Sequence, residues 1–271
     1  MSGVPKDFSS ITEFPGRKVG RDRMEIIGRR YLFAADVAAG KRVLEVGCGP
    51  GLGLGYLTGV AAWIVAGDIT TVSLARAWAT YRGRPGIRLV QFDAHVLPFR
   101  DASFDLVLAM AMICYLDVDV FLAECRRVLM RGGAVVFCTP NPEIPGFRPS
   151  RFSTRYYSGP ELAEVARQHG FALELFGGFP APRGRARLAQ RAIAWGGTVL
   201  AALPLGLGNQ ERLREIVRQL IRYDARLLDG ELTHEHMAIV RDIPLVPLRP
   251  DRGTAEYRIL YGIARRSGGS R

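Results

Sequence analysis

Three acids stand where apolar runs end. Glu45 lies inside "KRVLEV", directly before "GCGPGLGLG"; Asp68 closes "AAWIVAGD"; Asp93 follows "IRLVQF". Carboxylates accept hydrogen bonds and favour cations, so Asp68 can take both hydroxyls of a ribose and Asp93 an exocyclic amine. Glu45 would face a phosphate badly but suits a cationic or hydrogen-bond-donating group. The loop after Glu45 bares its backbone at Gly47, Gly49, Gly51, Gly53 and Gly55. A dinucleotide loop, G-x-G-x-x-G, would place its third glycine at position 52, where Leu52 stands. Gly53 and Gly55 disguise that mismatch, and a tight strand-to-helix turn would use glycines too, so the loop alone leaves both open. Acids at three successive strand ends are what a nucleoside with an amino-acid tail needs.

The elements that must position these residues alternate between two periods. "KRVLEV", "AAWIVAGD", "IRLVQFDA", "FDLVLAMA", "AVVFCTPN" and "FALELFGG" read as buried strands. "LGLGYLTGV" reads as a glycine-rich turn and short helix, and "VSLARAWATYRG" as a helix. "VDVFLAECRRVLMRGG" puts Phe121, Leu122, Cys125, Val128 and Leu129 on one helical stripe ending at Gly132. Ser158 and Glu161 have capping-box spacing at the start of a helix that closes on Gly170. Short connections between such units imply a parallel sheet with helices on both faces. Ligands of such sheets sit beyond the carboxyl ends of the strands, near the point where strand order reverses.

From about 180 to 255 the alternation breaks. "AIAWGGTVLAALPLGLG" is apolar, broken by Gly and Pro, and flanked by arginines. In "QERLREIVRQLIRYDARLLDG" an apolar face (Leu213, Ile216, Val217, Leu220, Leu227) opposes Arg214, Arg218, Arg222 and Arg226, which predicts a basic amphipathic helix. "AEYRILYGIARR" reads as a last strand.

A net charge of +11 fits either solubility or an anionic partner: acidic substrate, anionic lipid or nucleic acid. No nucleic-acid signature accompanies it, and aromatics are not interleaved with the basic runs, so no nucleic-acid partner is expected. Cys48, Cys114, Cys125 and Cys138 show neither C-x-x-C pairing nor zinc spacing, which predicts small core residues in a reduced, cytoplasmic protein. The N-terminal "MSGVPKDFSS" carries no apolar leader, and no run is long enough to span a bilayer.

"VLEVGCGPG", Asp68, "DAHVLPF", "SFDLVLA", "ECRRVLMRGG" and "YYSGPELAEVARQHGF" occur in order over about residues 40–180. Here the sequence resembles the class I S-adenosylmethionine-dependent methyltransferases, specifically the type-11 small-molecule group. The resemblance implies an α/β, doubly wound Rossmann-like sheet of seven strands, the last antiparallel, with a helical insertion between strands six and seven. It divides the chain into an N-terminal covering helix or lid (1–39), a cofactor-binding core (40–180), an acceptor-side insertion (181–254) and the final strand (255–266).

The cofactor implied is S-adenosylmethionine. By the resemblance Gly47 and Gly49, with Cys48 and Gly51 in the same loop, border its methionine part, and Glu45 supports its amino end. Asp68 holds the ribose, Ile69 meets the adenine face, Asp93 takes the adenine amine and the Ala94 N–H meets the ring. Ala109 and Met110 lie beside the sulfonium. Arg30 or Tyr31 reaches the cofactor carboxylate; otherwise their helix is a cover with a solvated basic face. His95 is loop wall rather than base.

The resemblance names no base. Tyr115, in "ICYLDVD", is a candidate on the substrate side. His234 and His236 in "THEHM" are further candidates if the insertion covers the pocket; on a strand they would share a face, and a solvated loop is the alternative. No third ligand accompanies them, so no metal is expected. Tyr156 and Tyr157 are accounted for by packing or a lid contact. The activity expected is methylation of a small molecule, O-directed, on a natural product, sugar or glycolipid intermediate. C- or N-methylation of a quinone, lipid or amine is the alternative within enzymes, and a non-catalytic cofactor-binding partner subunit the alternative outside them. The acceptor is anionic or lipid-linked if the basic insertion serves it, and the apolar stretch with arginine flanks would then touch membrane peripherally.

Overall fold

The computed structural model describes residues 8, 12–16, 18–181, 225–227 and 230–267. Its elements run β1 (Lys18–Gly20), α1 (Arg21–Ala38), β2 (Arg42–Val46), α2 (Leu54–Thr58), β3 (Trp63–Asp68), α3 (Thr71–Tyr81), β4 (Ile87–Gln91) and β5 (Phe104–Met110). There follow α4 (Val118–Val128), β6 (Leu129–Pro140), α5 (Gly159–Gln168), β7 (Phe171–Pro180), β8 (Ala225–Leu227), α6 (His234–Val240), β9 (Val246–Leu248) and β10 (Tyr257–Arg266).

The main sheet has the order β4-β3-β2-β5-β6-β10-β7-β9. Strands β2 to β6 are parallel, and β10 runs antiparallel between β6 and β7. The apolar runs alternate between two cores. Val43, Ile64, Leu106 and Val136 pack on the face covered by α1, α2, α3 and α6; Leu44, Val65, Val107 and Val135 pack on the face covered by α4 and α5. Consecutive apolar residues let these strands serve both. β2 is flanked by β3 and β5, so strand order reverses there and a cleft opens beyond its carboxyl end.

The sheet has eight strands where seven are expected. The addition is β9, inside the expected helical insertion, where Val246–Leu248 pairs with Gly177–Leu175 on the otherwise open edge of β7. The basic helix expected over 210–230 falls mostly outside the described residues, as does "AIAWGGTVLAALPLGLG". Its end differs from expectation: Arg226 and Leu227 form β8, paired with Val19 and Lys18, because the free edge of β1 offers their backbone a partner.

Helix α4 stops at Val128 rather than at Gly132. Asp117 caps its start by accepting from Val120 N at 3.3 Å, and Leu129, extended at ψ 140°, already pairs with Phe104. The edge of β5 claims the chain there: the carbonyls of Arg127 and Val128 receive Ala102 N at 3.0 Å and Ser103 N at 2.8 Å. Phe121, Leu122, Cys125 and Val128 are buried on this helix as expected; Leu129 is fully buried too, but in β6 rather than in the helix. Helix α5 has the expected capping box, with Ser158 Oγ accepting from Glu161 N and Glu161 accepting from Ser158 N.

Two arginines of helix α1 lie off the solvated basic face expected for it. Arg29 and Arg30 are each 8% exposed. Arg29 Nε donates to the Ile243 carbonyl at 2.9 Å, and Arg30 is paired with Glu13, which lets both charges enter the interior. Among the described residues no helix is long and apolar enough to cross a membrane.

Candidate cofactor site at the switch point

The chain leaves β2 through a loop that turns back on itself: Cys48 N donates to the Gly67 carbonyl at 3.0 Å, and Gly51 N to the Cys48 carbonyl at 3.0 Å. Tyr81 of α3 braces it, donating from its hydroxyl to the Gly51 carbonyl at 2.7 Å. Two glycines are obligatory here for different reasons. Gly47 has φ +67°, and the Met112 thioether occupies the space a side chain would need. Gly53 has ordinary helical φ, but a methyl there would overlap the Tyr31 ring. The bare backbone thus admits neighbouring side chains as well as leaving one wall of a cavity open.

That cavity, about 380 Å³, lies beyond the ends of β2, β3, β4 and β5. Of the cofactor residues expected from sequence, Tyr31, Gly47, Cys48, Gly49, Asp68, Ile69, Asp93, Ala94 and Met110 line it. Glu45, Gly51 and Ala109 do not. Glu45, 1% exposed, reaches it through Tyr31, whose hydroxyl donates to Glu45 Oε1 at 2.9 Å. Among the described residues Glu45 Oε2 has no hydrogen-bond partner. Burial pushes the Glu45 pKa up to about 7, against the opposing pull of the Tyr31 hydrogen bond and the Arg30 charge. An orphaned carboxylate oxygen next to a cavity is a place for a donor or a cation. The amino group of S-adenosylmethionine is both.

Asp68 is organised on both oxygens. Oδ1 accepts from Thr70 N at 2.8 Å and Oδ2 from Gly49 N at 2.9 Å, so it ties the glycine loop to the end of β3. Each oxygen keeps a second lone pair for a ligand hydroxyl. Burial raises its pKa, an effect those backbone bonds oppose. Asp93 is exposed; its Oδ1 accepts from His95 N at 2.9 Å and lies 2.7 Å from His95 Nδ1.

Ala111, also in the lining, has φ +58°, a left-handed residue directly after β5, held by donation of its N–H to the Cys138 carbonyl at 3.0 Å. Met112, Tyr115 and Leu116 follow it into the lining. Tyr115 packs against Phe8 with ring centroids 5.7 Å apart, and its burial holds the phenol well above its usual pKa.

His234 and His236 do not line the cavity. They open helix α6 rather than lying on a strand or loop, and His236 closes its capping box: Nδ1 accepts from Thr233 N at 3.1 Å while Thr233 Oγ1 accepts from His236 N at 3.4 Å. His234 packs edge-on against Tyr56. Tyr157 is buried under the Arg155 guanidinium, and Tyr156 Oη accepts from Ser150 N at 3.2 Å.

No sequence pattern marks Glu13 as a site residue. It lines the cavity with Thr12, and its carboxylate is shared by Arg30 at 3.1 Å and Arg23 at 2.7 Å. Burial works against the Arg30 charge, but Glu13 outweighs it and the pKa ends above its usual value. A signal for the inward direction of Arg30 and Tyr31 was present: Ile26, Ile27, Arg30, Tyr31 and Ala34 fall on one helical stripe.

The profile of the Methyltransferase domain family matches residues 44–137. A Mycolicibacterium smegmatis protein described as a probable S-adenosylmethionine-dependent methyltransferase is 34% identical over 159 residues, 56% of this chain and 59% of that protein. A Mycobacterium ulcerans protein described as a probable phthiotriol/phenolphthiotriol dimycocerosates methyltransferase 2 is 43% identical over 126 residues, 45% of this chain and 48% of that protein. The chain thus spans about half the length of these curated relatives. Among solved structures, a Thermotoga maritima S-adenosylmethionine-dependent methyltransferase shares the fold with a TM-score of 0.55 at 16% identity, over 91% of this chain and 94% of that one. The family profile lies over the same strands that carry the glycine loop and its acids, so this part of the chain is similar to S-adenosylmethionine-dependent methyltransferases and supports a class I methyltransferase core.

Proposed function

We propose that the protein transfers a methyl group from S-adenosylmethionine to an oxygen of a small-molecule acceptor, a natural-product, sugar or lipid-linked intermediate. The observation that carries this is the convergence of Tyr31 on Glu45, Asp68 and Asp93 at one cavity, with a partnerless Glu45 oxygen beside it. Bound S-adenosylmethionine supplies a methyl group made electrophilic by its sulfonium. This chain's residues bind, orient and exclude water. Gly47 and Gly49 would border the methionine part, with Glu45 toward its amino group and Arg30 or Tyr31 toward its carboxylate. Asp68 would hold the ribose, Ile69 the adenine face, Asp93 the adenine amine and Ala94 N–H the ring. Ala109 and Met110 would flank the sulfonium, and Leu52, Phe92, Met112 and Leu116 make that space apolar.

Residues 181–254 would build the acceptor side. The M. ulcerans relative's name supports an acceptor of the phthiotriol class, an alcohol on a lipid. A lipid-linked acceptor agrees with arginine flanks around "AIAWGGTVLAALPLGLG", which suit peripheral contact between a cytoplasmic enzyme and an anionic membrane.

A second reading, C- or N-directed transfer to a quinone, lipid or amine, draws on the lining itself. His95 has both ring nitrogens engaged and Tyr115 is held in its protonated form, so neither serves as a base. A nucleophile with no proton to lose fits such a wall. Incubating the enzyme with isotopically labelled S-adenosylmethionine and lipid or small-molecule extracts, followed by mass spectrometry, tests both readings. A labelled methyl ether supports O-transfer and a labelled amine or ring carbon the alternative; binding without turnover on any extract contradicts both.

A further inference from the structure

His95 lines the cavity two residues beyond Asp93 and has its backbone N–H and both ring nitrogens engaged. Its backbone N and Nδ1 both meet Asp93 Oδ1, at 2.9 and 2.7 Å, and its Nε2 accepts from Asp117 N at 2.9 Å. Because Nε2 is the acceptor, the ring proton sits on Nδ1 and is given to Asp93. Both donors fall on one carboxylate oxygen, which fixes the rotamer of Asp93 and leaves Oδ2 for a different donor.

The loop does not depend on His95 for its position. Leu97 N donates to Glu124 Oε2 at 2.8 Å, and Arg127 donates to the carbonyls of Leu97 at 2.9 Å and Phe99 at 2.7 Å. Helix α4 likewise has its own cap in Asp117. Two anchors already hold the backbone on either side, so the ring's distinctive contribution is to the side chain of Asp93.

We propose that His95 is a positioning residue for the cofactor, turning Asp93 through Nδ1–H so that Oδ2 receives the exocyclic amine of adenine. The proposal rests on the cofactor assignment above and adds to it a residue that touches Asp93 rather than carrying out methyl transfer.

Two substitutions divide the imidazole's contacts. His95→Asn keeps a donor near the Nδ1 position and loses the Asp117 contact; His95→Gln keeps an acceptor near the Nε2 position and loses the Asp93 contact. Calorimetric titration with S-adenosylhomocysteine, and with the same molecule carrying hydrogen in place of the adenine amine, reads the difference, and thermal melts confirm that each variant is folded. The expected result is that His95→Asn binds S-adenosylhomocysteine like the wild type, whereas His95→Gln binds it about tenfold more weakly, the worth of one hydrogen bond. On the amine-free ligand all three proteins should agree. Wild-type affinity in His95→Gln, an equal loss in His95→Asn, or a loss of the same size on both ligands would overturn the proposal. A wild-type protein that binds neither ligand would instead overturn the cofactor assignment.

Discussion

Tyr31 and Glu45 form a closed pair: the phenol donates to Glu45 Oε1 at 2.9 Å from helix α1, and both side chains are buried. The pair joins the N-terminal helix to the strand end that carries the glycine loop. It also leaves Glu45 Oε2 unsatisfied, a cost that a ligand cation would relieve.

Glu45 should make the ligand-free protein less stable as pH rises. Its folded pKa, pushed up to about 7 by burial, exceeds its ordinary value of 4.5, so between these values the folded protein holds a proton that the unfolded chain has released. Stability is then highest below about pH 4.5 and falls until about pH 7, for a total of about 3 kcal/mol from this group. Urea unfolding of wild type and Glu45→Gln at about pH 5 and about pH 8 isolates the effect, since the variant lacks this slope. Identical slopes in the two proteins would contradict it.

Binding should respond to pH in the opposite sense. A cationic amino group beside Glu45 favours its ionised form, so wild-type affinity for S-adenosylmethionine rises as pH passes through about 7. In Glu45→Gln that rise should disappear from the calorimetric titrations, with affinity low throughout.

Asp68→Ala removes the acceptor for Gly49 N and Thr70 N together with the proposed ribose contact. Cofactor affinity should fall by about 1–3 kcal/mol. Asp68→Asn, which retains one carbonyl oxygen, should lose less. Unchanged affinity in Asp68→Ala, measured by calorimetry, would remove the ribose assignment.

Gly47→Ala should destabilise the protein for two separable reasons, its φ of +67° and the Met112 side chain in the space required. Together they should cost about 2–4 kcal/mol in urea unfolding. Adding Met112→Ala should recover the overlap part while the backbone part of about 1–2 kcal/mol remains. A double variant no more stable than Gly47→Ala would show that the thioether is not the obstacle.

If the apolar stretch within 181–254 serves a lipid-linked acceptor, the protein should pellet with vesicles that contain anionic lipid, less so as salt is added, and not with neutral ones. Failure to pellet with anionic vesicles at low salt would leave this segment only the role of closing the acceptor side.

Much of this site was legible in the sequence because the parallel sheet writes itself locally. Strands buried on both faces appear as unbroken apolar runs, and Glu45, Asp68 and Asp93 interrupt those runs at their ends, where the ligand cleft of such a sheet lies. What was not legible depends on pairing between distant segments. The three-residue strands β1, β8 and β9 have no periodicity to read and exist because another edge offers hydrogen bonds. Leu129 is apolar in either helix or strand, and only its pairing with Phe104 decides between them. Glu13 reaches Arg30 by a fold-back of the segment before β1 that no local pattern announces. His236 looked like a candidate base until helix α6 spent its ring on a cap.

The central claim, that this cavity holds S-adenosylmethionine through its acid-tipped strands, is tested most directly by calorimetric titration of the wild type and Asp93→Ala with that cofactor. The account predicts one binding event per chain in the wild type and an affinity about tenfold weaker in the variant, the loss of one hydrogen bond to adenine. No heat with S-adenosylmethionine, or saturable binding of a nicotinamide dinucleotide in its place, would contradict it.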